Sequence, residues 1–566
     1  MGCWVSACQT VCNFYTTTHP PVSQNKPYFF QSFAIVVLSI AALYGFKQYL
    51  PAKIFTETGS TKNVVVDSLM LEASEGADSA VAEKDTLSNT KISFQETNGV
   101  KFPAETFEDY KGYQHLIAFY EKLMQLENTQ QGNVRIAYFG DSMTDGDMIV
   151  KDLRSSLQNR FGGEGVGFVN ITSESAPSRS TLSHSFSGNW KTQSYLNVKN
   201  PRKPFGINGH VFFVKHDTVS PVWVKYKASK LNHLSSLNNA TLFYGRSGNT
   251  KAKMQFIVGA DTITKKLSAG NILNTVPVSG GDVKSFRANF IAADSIPFYG
   301  FNFDDGRGVH VDNFSNRGNS GLPIATFNTN LMKAFNEKLG YDLIVLHYGT
   351  NVLNYGSLNY SWYEKKMSRV VAHLRECFPG VAILIISTAD KSSKYGTEMK
   401  TDSAVVPLTL AQKRYAVQTE SGYVNLYTLM GGNGSMVRWV DDVPAYANKD
   451  YTHFNFRGSK KISDLIYSQL NNGYEKYKAL RGGKPLPKEP KRDSVFQVAR
   501  PKPVQPVPVS KPATDSFKLK PAAQPVKKPA QPAFKPAKPT VPQPKVNQKP
   551  LEPVTAPVIK DTANAQ

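Results

Sequence analysis

The sequence contains little cysteine. Of its 566 residues only four are cysteines: Cys3, Cys8 and Cys12 lie at the amino end, and Cys377 stands alone in the body of the chain. This scarcity excludes a disulfide framework of the kind that stabilises small secreted domains. The chain must therefore be stabilised by hydrophobic cores, and its length allows more than one folded domain.

Acidic residues are also scarce, with 44 Asp and Glu against 66 Lys and Arg, a net charge of +22. Half of that excess lies in residues 484–566, where 16 basic residues face 5 acidic ones and where 19 of the 34 prolines occur. Proline removes backbone donors and the segment has few large apolar residues, so we predict a disordered tail. Its charge could bind an anionic envelope polymer or merely keep a spacer solvated; no nucleic-acid partner is expected.

Long hydrophobic runs are missing apart from one. Residues 27–46 carry no charge, and an apolar stretch of about 20 residues can cross a hydrocarbon core as a helix. No small-residue cleavage site follows it, so we predict a transmembrane signal anchor at residues 28–46. Residues 1–27 would then be a cytoplasmic segment and residues 47–106 a linker.

The folded body is predicted to begin near Phe107. The apolar run VRIAYF ends on a glycine turn and is followed by the helical pattern DMIVKDLRSSLQNRF; YDLIVLHYGTN and a second helical pattern repeat this order. Such alternation predicts a parallel sheet covered by helices on both faces, a three-layer α/β/α domain formed by residues 107–169 and 313–480. Short alternating strands without helices predict an inserted β-sandwich at residues 170–312.

Candidate catalytic residues follow these strands. Ser142 lies at the carboxyl end of the first strand, where a reactive group or a simple helix-capping serine would both fit. Asp450 and His453 are three residues apart before the last helix, a spacing that lets the carboxylate reach the imidazole. Asn351 ends the second strand of the parallel set, where its amide can donate to an oxyanion.

A turn at residues 316–321 offers further backbone donors. Gly321 directly precedes the second strand and helix unit, and we therefore prefer it as an oxyanion donor. Gly318 in the same turn and Gly209 in an earlier one remain alternatives.

No metal site is predicted in the body of the chain. Asp304, Asp305 and Asp312 lack an ordered spacing of oxygen ligands, so we interpret them as turn residues and not as calcium ligands.

In order along the chain, the blocks GDS, NRGNSG, GTN and DYTH resemble the four blocks of the SGNH (GDSL) hydrolases. The resemblance implies that Ser142 is the nucleophile, His453 the general base and Asp450 the residue that orients it. It also implies an oxyanion hole formed by the Ser142 backbone, Gly321 and Asn351, with no metal or organic cofactor.

Three stretches, GDSMTDGDMIVKDLRSSLQNRFGGEGVGFV, MGGNGSMVRWV and DYTHFNFRG, are similar to the bacterial peptidoglycan O-acetylesterases, which carry an inserted carbohydrate-binding-like β-sandwich. This similarity implies an esterase for O-acetylated cell-wall glycan, on the periplasmic side of a bacterial inner membrane. Two alternatives keep the same chemistry, namely an esterase for another acetylated polysaccharide and an acetyltransferase. A third is a non-catalytic protein that binds and tethers envelope glycan.

Overall fold

The computed structural model describes residues 33–34, 37–39, 90–215, 221–278, 283–353, 355 and 358–484. The strands of this part of the chain are β1 Lys91–Ile92, β2 Glu105–Thr106, β3 Asn133–Gly140, β4 Gly167–Asn170, β5 Leu182–Phe186, β6 Trp190–Ser194, β7 His210–Val214, β8 Val222–Ala228, β9 Thr241–Gly245, β10 Lys253–Val258, β11 Asp261–Lys266, β12 Leu273–Pro277, β13 Ser285–Ile291, β14 Phe298–Phe303, β15 Gly308–Asn313, β16 Leu343–His347, β17 Ala382–Ile386, β18 Ser392–Tyr395, β19 Glu398–Thr401 and β20 Gly422–Val424. The α-helices are α1 Ile117–Thr129, α2 Val150–Phe161, α3 Thr329–Leu339, α4 Ser361–Cys377, α5 Val405–Gln418, α6 Leu426–Leu429, α7 Ser435–Asp441 and α8 Phe456–Arg481.

Two of the catalytic candidates, Ser142 and Asn351, follow strands of a five-stranded parallel sheet. Its order is β15-β3-β16-β17-β20, so the first strand in the chain lies between the second and the third. β16 and β17 are buried at every position because strands covered on both faces need apolar residues throughout. In such sheets the crevice forms where the strand order reverses, which here lies at the carboxyl ends of β3 and β16.

Two groups of helices pack on this sheet. Helices α1, α2 and α8 contact one another, and α4 contacts both α3 and α5. From β3 the chain first passes to β15, on one side of β3. The later connections, to β16, β17 and β20, run toward the opposite edge of the sheet. Right-handed crossovers therefore place α2 on one face and α3, α4 and α5 on the opposite face.

The strands between β3 and β15 form two antiparallel sheets. One has the order β11-β10-β13-β8-β5, and the other has the order β12-β9-β14-β7-β6 with β4 added alongside β14. Their facing side chains form a separate hydrophobic core that includes Phe256, Phe286 and Phe301. Two antiparallel sheets around a shared core have the arrangement of a β-sandwich.

Aromatic and ionic contacts hold the sandwich against the parallel-sheet part. Phe335 of α3 stacks on Phe243, with ring centroids 5.9 Å apart, and packs edge-on against Tyr299 at 5.4 Å. The buried guanidinium of Arg135 in β3 pairs with Asp304 and Asp312. These two aspartates are therefore partners of a buried arginine, and within the described residues no group of His, Cys, Asp and Glu could hold a metal ion.

The structure moves three predicted boundaries. Strand β4 already belongs to a sandwich sheet before residue 170, and β15, which we had placed in the insertion, belongs to the parallel sheet. The folded body also begins before Phe107, since β1 pairs with β2 and Phe94 and Phe102 lie in the main core. Strand pairing and core packing, which local patterns do not reveal, decide these boundaries.

The predicted transmembrane anchor is wrong. Of residues 28–46 the structure describes only residues 33–34 and 37–39, which are helical. No helix in the described part of the chain is both long and apolar enough to span a membrane. The predicted inner-membrane location depended on this anchor and is therefore also wrong. Residues 1–32, 47–89 and 485–566, including the predicted tail, lie outside the described residues.

Candidate active site

Ser142 lies in a tight loop that begins where β3 ends. The carbonyl of Asp141 accepts hydrogen bonds from the backbone N–H groups of Thr144 and Asp145, so the chain reverses immediately after the serine. Gly140 makes this turn possible, because a Cβ at that position would lie 2.2 Å from Thr144 Oγ1.

His453 and Asp450 reach the serine from a loop just before α8. Ser142 Oγ lies 2.9 Å from His453 Nε2, and His453 Nδ1 lies 2.8 Å from Asp450 Oδ2. Asp450 Oδ1 also accepts the backbone N–H groups of Thr452 at 3.0 Å and His453 at 2.9 Å. The structure therefore brings the three residues together as a serine, an imidazole and a carboxylate in hydrogen-bond sequence.

The local conformation of this loop sets the geometry of the pair. Tyr451, between the two residues, has a φ of 53°, a left-handed conformation that a non-glycine residue adopts only when its surroundings hold it there. Partial burial acts to raise the pKa of Asp450, but the hydrogen bonds from His453 and Thr452 outweigh it and hold that pKa below its usual value. Asp450 is thus ionised at neutral pH and can stabilise an imidazolium.

Asn351 lies beside the loop that carries Ser142. Its Nδ2 donates to the carbonyl of Asn319 at 3.1 Å and to Asp141 Oδ2 at 3.3 Å, while Asp141 Oδ1 accepts the Met143 N–H at 2.9 Å. Burial raises the pKa of the Asp141 carboxyl to about 6, against the opposing effects of the Met143 N–H and of His453. The carboxylate that orients the Asn351 amide is therefore ionised above that pH.

The candidate glycines differ in what their N–H groups do. The Gly321 N–H donates to Asn319 Oδ1 at 2.9 Å, and the Gly209 N–H donates to the carbonyl of Gly206 at 2.9 Å. Within the described residues the N–H groups of Ser142 and Gly318 have no hydrogen-bond partner. The N–H of Ser142 is thus available to bind an oxyanion, whereas the N–H of Gly321 already donates to the side chain of Asn319.

Tyr195, which the sequence analysis missed, connects the β-sandwich to this turn. Its buried hydroxyl accepts Nδ2 of Asn316 at 3.2 Å and Nδ2 of Asn319 at 2.9 Å. The asparagine that holds the Gly321 N–H is therefore itself held by a residue of the insertion. No local motif marks Tyr195, since its role depends on a single turn more than 100 residues away.

A polar cleft of about 340 Å³ lies between the two parts of the chain, against the loops that flank Ser142. Its lining includes Asp145, Ser315 and Arg317 from the parallel-sheet part and Thr192, Ser194 and His210 from the sandwich. Arg317 Nε donates to Asp145 Oδ2 at 2.6 Å. A cleft lined by hydroxyls, amides and a fixed guanidinium suits a hydroxyl-rich ligand.

Replacing Tyr195 with phenylalanine tests the connection between the sandwich and the turn. The change removes an acceptor shared by two buried amides, so we expect a loss of about 1–3 kcal/mol in the free energy of unfolding and a lower kcat for ester hydrolysis. Denaturant unfolding and hydrolysis of a small acetyl ester measure the two effects. In the control Tyr120→Phe, the removed buried hydroxyl has no partner in the described structure, and both quantities should stay near their original values. Equal effects of the two changes would contradict the proposed connection.

Comparisons with known proteins give matches among solved structures only, since neither a family model nor a curated protein matches the sequence. A peptidoglycan O-acetylesterase matches with a TM-score of 0.53 and 20% identity, over 63% of this chain and 96% of that one. A family two carbohydrate esterase from Cellvibrio japonicus covers 52% of this chain and 99% of its own at 10% identity, with a TM-score of 0.21. A structure described as a GDSL-like lipase, from Parabacteroides merdae, covers 30% of this chain and 74% of its own at 12% identity, with a TM-score of 0.22. On the first of these matches, the chain shares the fold of that peptidoglycan O-acetylesterase.

Proposed function

We propose that this protein is a serine esterase that removes O-acetyl groups from cell-wall glycan. The observation that carries the proposal is the continuous hydrogen-bond sequence from Ser142 Oγ through His453 to Asp450. It lies at the carboxyl edge of a parallel sheet, where the strand order reverses. The likeness to a peptidoglycan O-acetylesterase supports the substrate class.

The residues support a two-step reaction. Ser142 Oγ bonds to the acetyl carbonyl carbon while His453 Nε2 takes its proton, and the carbonyl oxygen becomes an oxyanion. The bond to the sugar oxygen then breaks, and His453 returns the proton to that oxygen. Water attacks the acetyl-serine in the same way, which releases acetate and restores Ser142. The side chain of His453 is 39% exposed, so water can reach the acyl-enzyme.

The oxyanion would rest on the open N–H of Ser142 and on the Asn351 amide. Asn351 would exchange its 3.3 Å contact with Asp141, the longer of its two, for the substrate oxygen. A third donor would come from the turn at residues 316–321. There the Gly318 N–H is open, whereas the Gly321 N–H would first have to leave Asn319 Oδ1.

The test is acetate release from O-acetylated peptidoglycan by the full chain, with acetylated xylan in parallel. We expect release from peptidoglycan that depends on Ser142, because the site holds a nucleophile, a base and its carboxylate in contact. Release from xylan alone would show that the substrate is another acetylated polysaccharide. Transfer of acetyl to an added glycan acceptor in place of release would make the protein an acetyltransferase, since the acyl-enzyme serves either outcome.

A further inference from the structure

The outer face of one sandwich sheet is strongly basic. In β8 the residues Val222, Val224 and Tyr226 are buried, whereas Lys225 and Lys227 point outward and are exposed. The same alternation in the neighbouring strands extends this outward set. We define the basic face as Lys225, Lys227, Lys253, Lys266 and Arg287.

The strand register places like charges opposite one another on this face. Lys225 pairs with Arg287 across β8 and β13, and Lys253 pairs with Lys266 across β10 and β11. Directly opposed like charges destabilise an antiparallel pair of strands. Selection for folding stability alone therefore does not explain why these cations lie opposite one another.

No carboxylate offsets this charge within the described part of the chain. The outward positions of the five strands are otherwise serine, threonine, asparagine, glutamine, isoleucine and one tryptophan. None of the five cations of the basic face forms an ion pair with a described residue. The face therefore presents a positive potential that an anionic ligand would neutralise.

Arg287 is held in place at the centre of the face. Its guanidinium carbon lies 4.4 Å from the ring centroid of Trp223, and its Nε donates to Asn289 Oδ1 at 2.9 Å. These two contacts fix the guanidinium, and its terminal nitrogens remain for a carboxylate or phosphate.

We propose that the basic face binds a linear anionic polysaccharide. The cations lie on four neighbouring strands, β8, β13, β10 and β11. A strand spacing of about 4.8 Å spreads them over roughly 15 Å across the sheet, the scale of a polymer with repeated charges and not of one small anion. The choice of a glycan among polyanions rests on the proposed esterase function, whereas the anionic character rests on the face alone. Through this contact the protein would stay on a polymer strand while Ser142 reacts.

Lysine footprinting of the full chain tests this proposal residue by residue, so that the basic tail does not confound the result. The chain is labelled with an amine-reactive ester, with and without polygalacturonate, and labelling is read by mass spectrometry. We expect labelling of Lys225, Lys227, Lys253 and Lys266 to fall severalfold. The exposed Lys365 and Lys366 of α4 are the control and should not change.

Further labelling experiments with other polymers test whether the ligand must be both anionic and a polysaccharide. Fully methyl-esterified polygalacturonate keeps the sugar chain without its charge and should give no protection. Equal labelling with and without the charged polymer, or protection by duplex DNA alone, would overturn the proposal. The double substitution Lys225→Gln and Lys227→Gln should weaken binding about tenfold relative to Lys365→Gln with Lys366→Gln. Hydrolysis of a small acetyl ester should be unchanged in both variants, so failure of binding and failure of the esterase function are separable.

Discussion

Replacement of Ser142 by alanine is expected to reduce hydrolysis of acetyl esters by about 10⁴-fold or more. The hydroxyl oxygen of Ser142 lies 2.9 Å from His453 Nε2, so the nucleophile that attacks the carbonyl is already in contact with its base. Without it, only the oxyanion donors and substrate binding remain, which in such sites give a small residual rate. The measurement is kcat/KM on a small acetyl ester and on O-acetylated glycan.

Folding must be separated from chemistry in this comparison. The imidazole is partly exposed, so water can replace the lost hydroxyl and the free energy of unfolding should change little. Ser268→Ala, at an exposed position in the sandwich, is the matched control and should keep full activity. Undiminished hydrolysis by a folded Ser142→Ala chain would disprove the mechanism.

Asp450→Asn should lower kcat by about 10²- to 10⁴-fold and leave measurable activity. The carboxylate accepts the His453 Nδ1 proton at 2.8 Å, which leaves Nε2 free to take the proton of the serine. An amide in its place can donate to Nδ1, which favours the tautomer with the proton on Nε2. The backbone N–H bonds of Thr452 and His453 can still be accepted by the amide oxygen, so the loop should keep its shape.

The control for this variant removes the same charge close by. Asp442→Asn changes an exposed carboxylate in the segment between α7 and the catalytic loop, and it should leave kcat unchanged. If both variants lost activity equally, the loss would come from net charge, and the orienting role of Asp450 would be excluded. Thermal unfolding of both chains shows whether either substitution alters the fold.

Features that depend on neighbouring residues were predictable. The run VRIAYF is apolar at every position except Arg135, a pattern typical of a strand buried on both faces, and β3 is buried from Val134 to Gly140. The Asp450 and His453 contact spans three residues and closes through backbone bonds within one turn. The alternation in β8 likewise predicted a strand with one buried face.

Features that depend on distant partners were not predictable. The end of the insertion was misplaced because β15 looks like a sandwich strand until its pairing with β3 is known. The state of the Gly321 N–H depends on the rotamer of Asn319, and that rotamer depends on Tyr195 from another part of the chain. The role of Asp304 and Asp312 depends on Arg135, more than 160 residues away.

The sequence by itself determined which residues could react, because strand, turn and helix patterns and the short Asp450 to His453 spacing are local. Only the tertiary structure decided that they act together: Ser142 and His453 are 311 residues apart in the chain and 2.9 Å apart in space. Packing of the parallel sheet and of the inserted sandwich sets that distance. It equally sets which backbone N–H groups stay open and which cations share one face, since these depend on contacts between segments that no local pattern encodes.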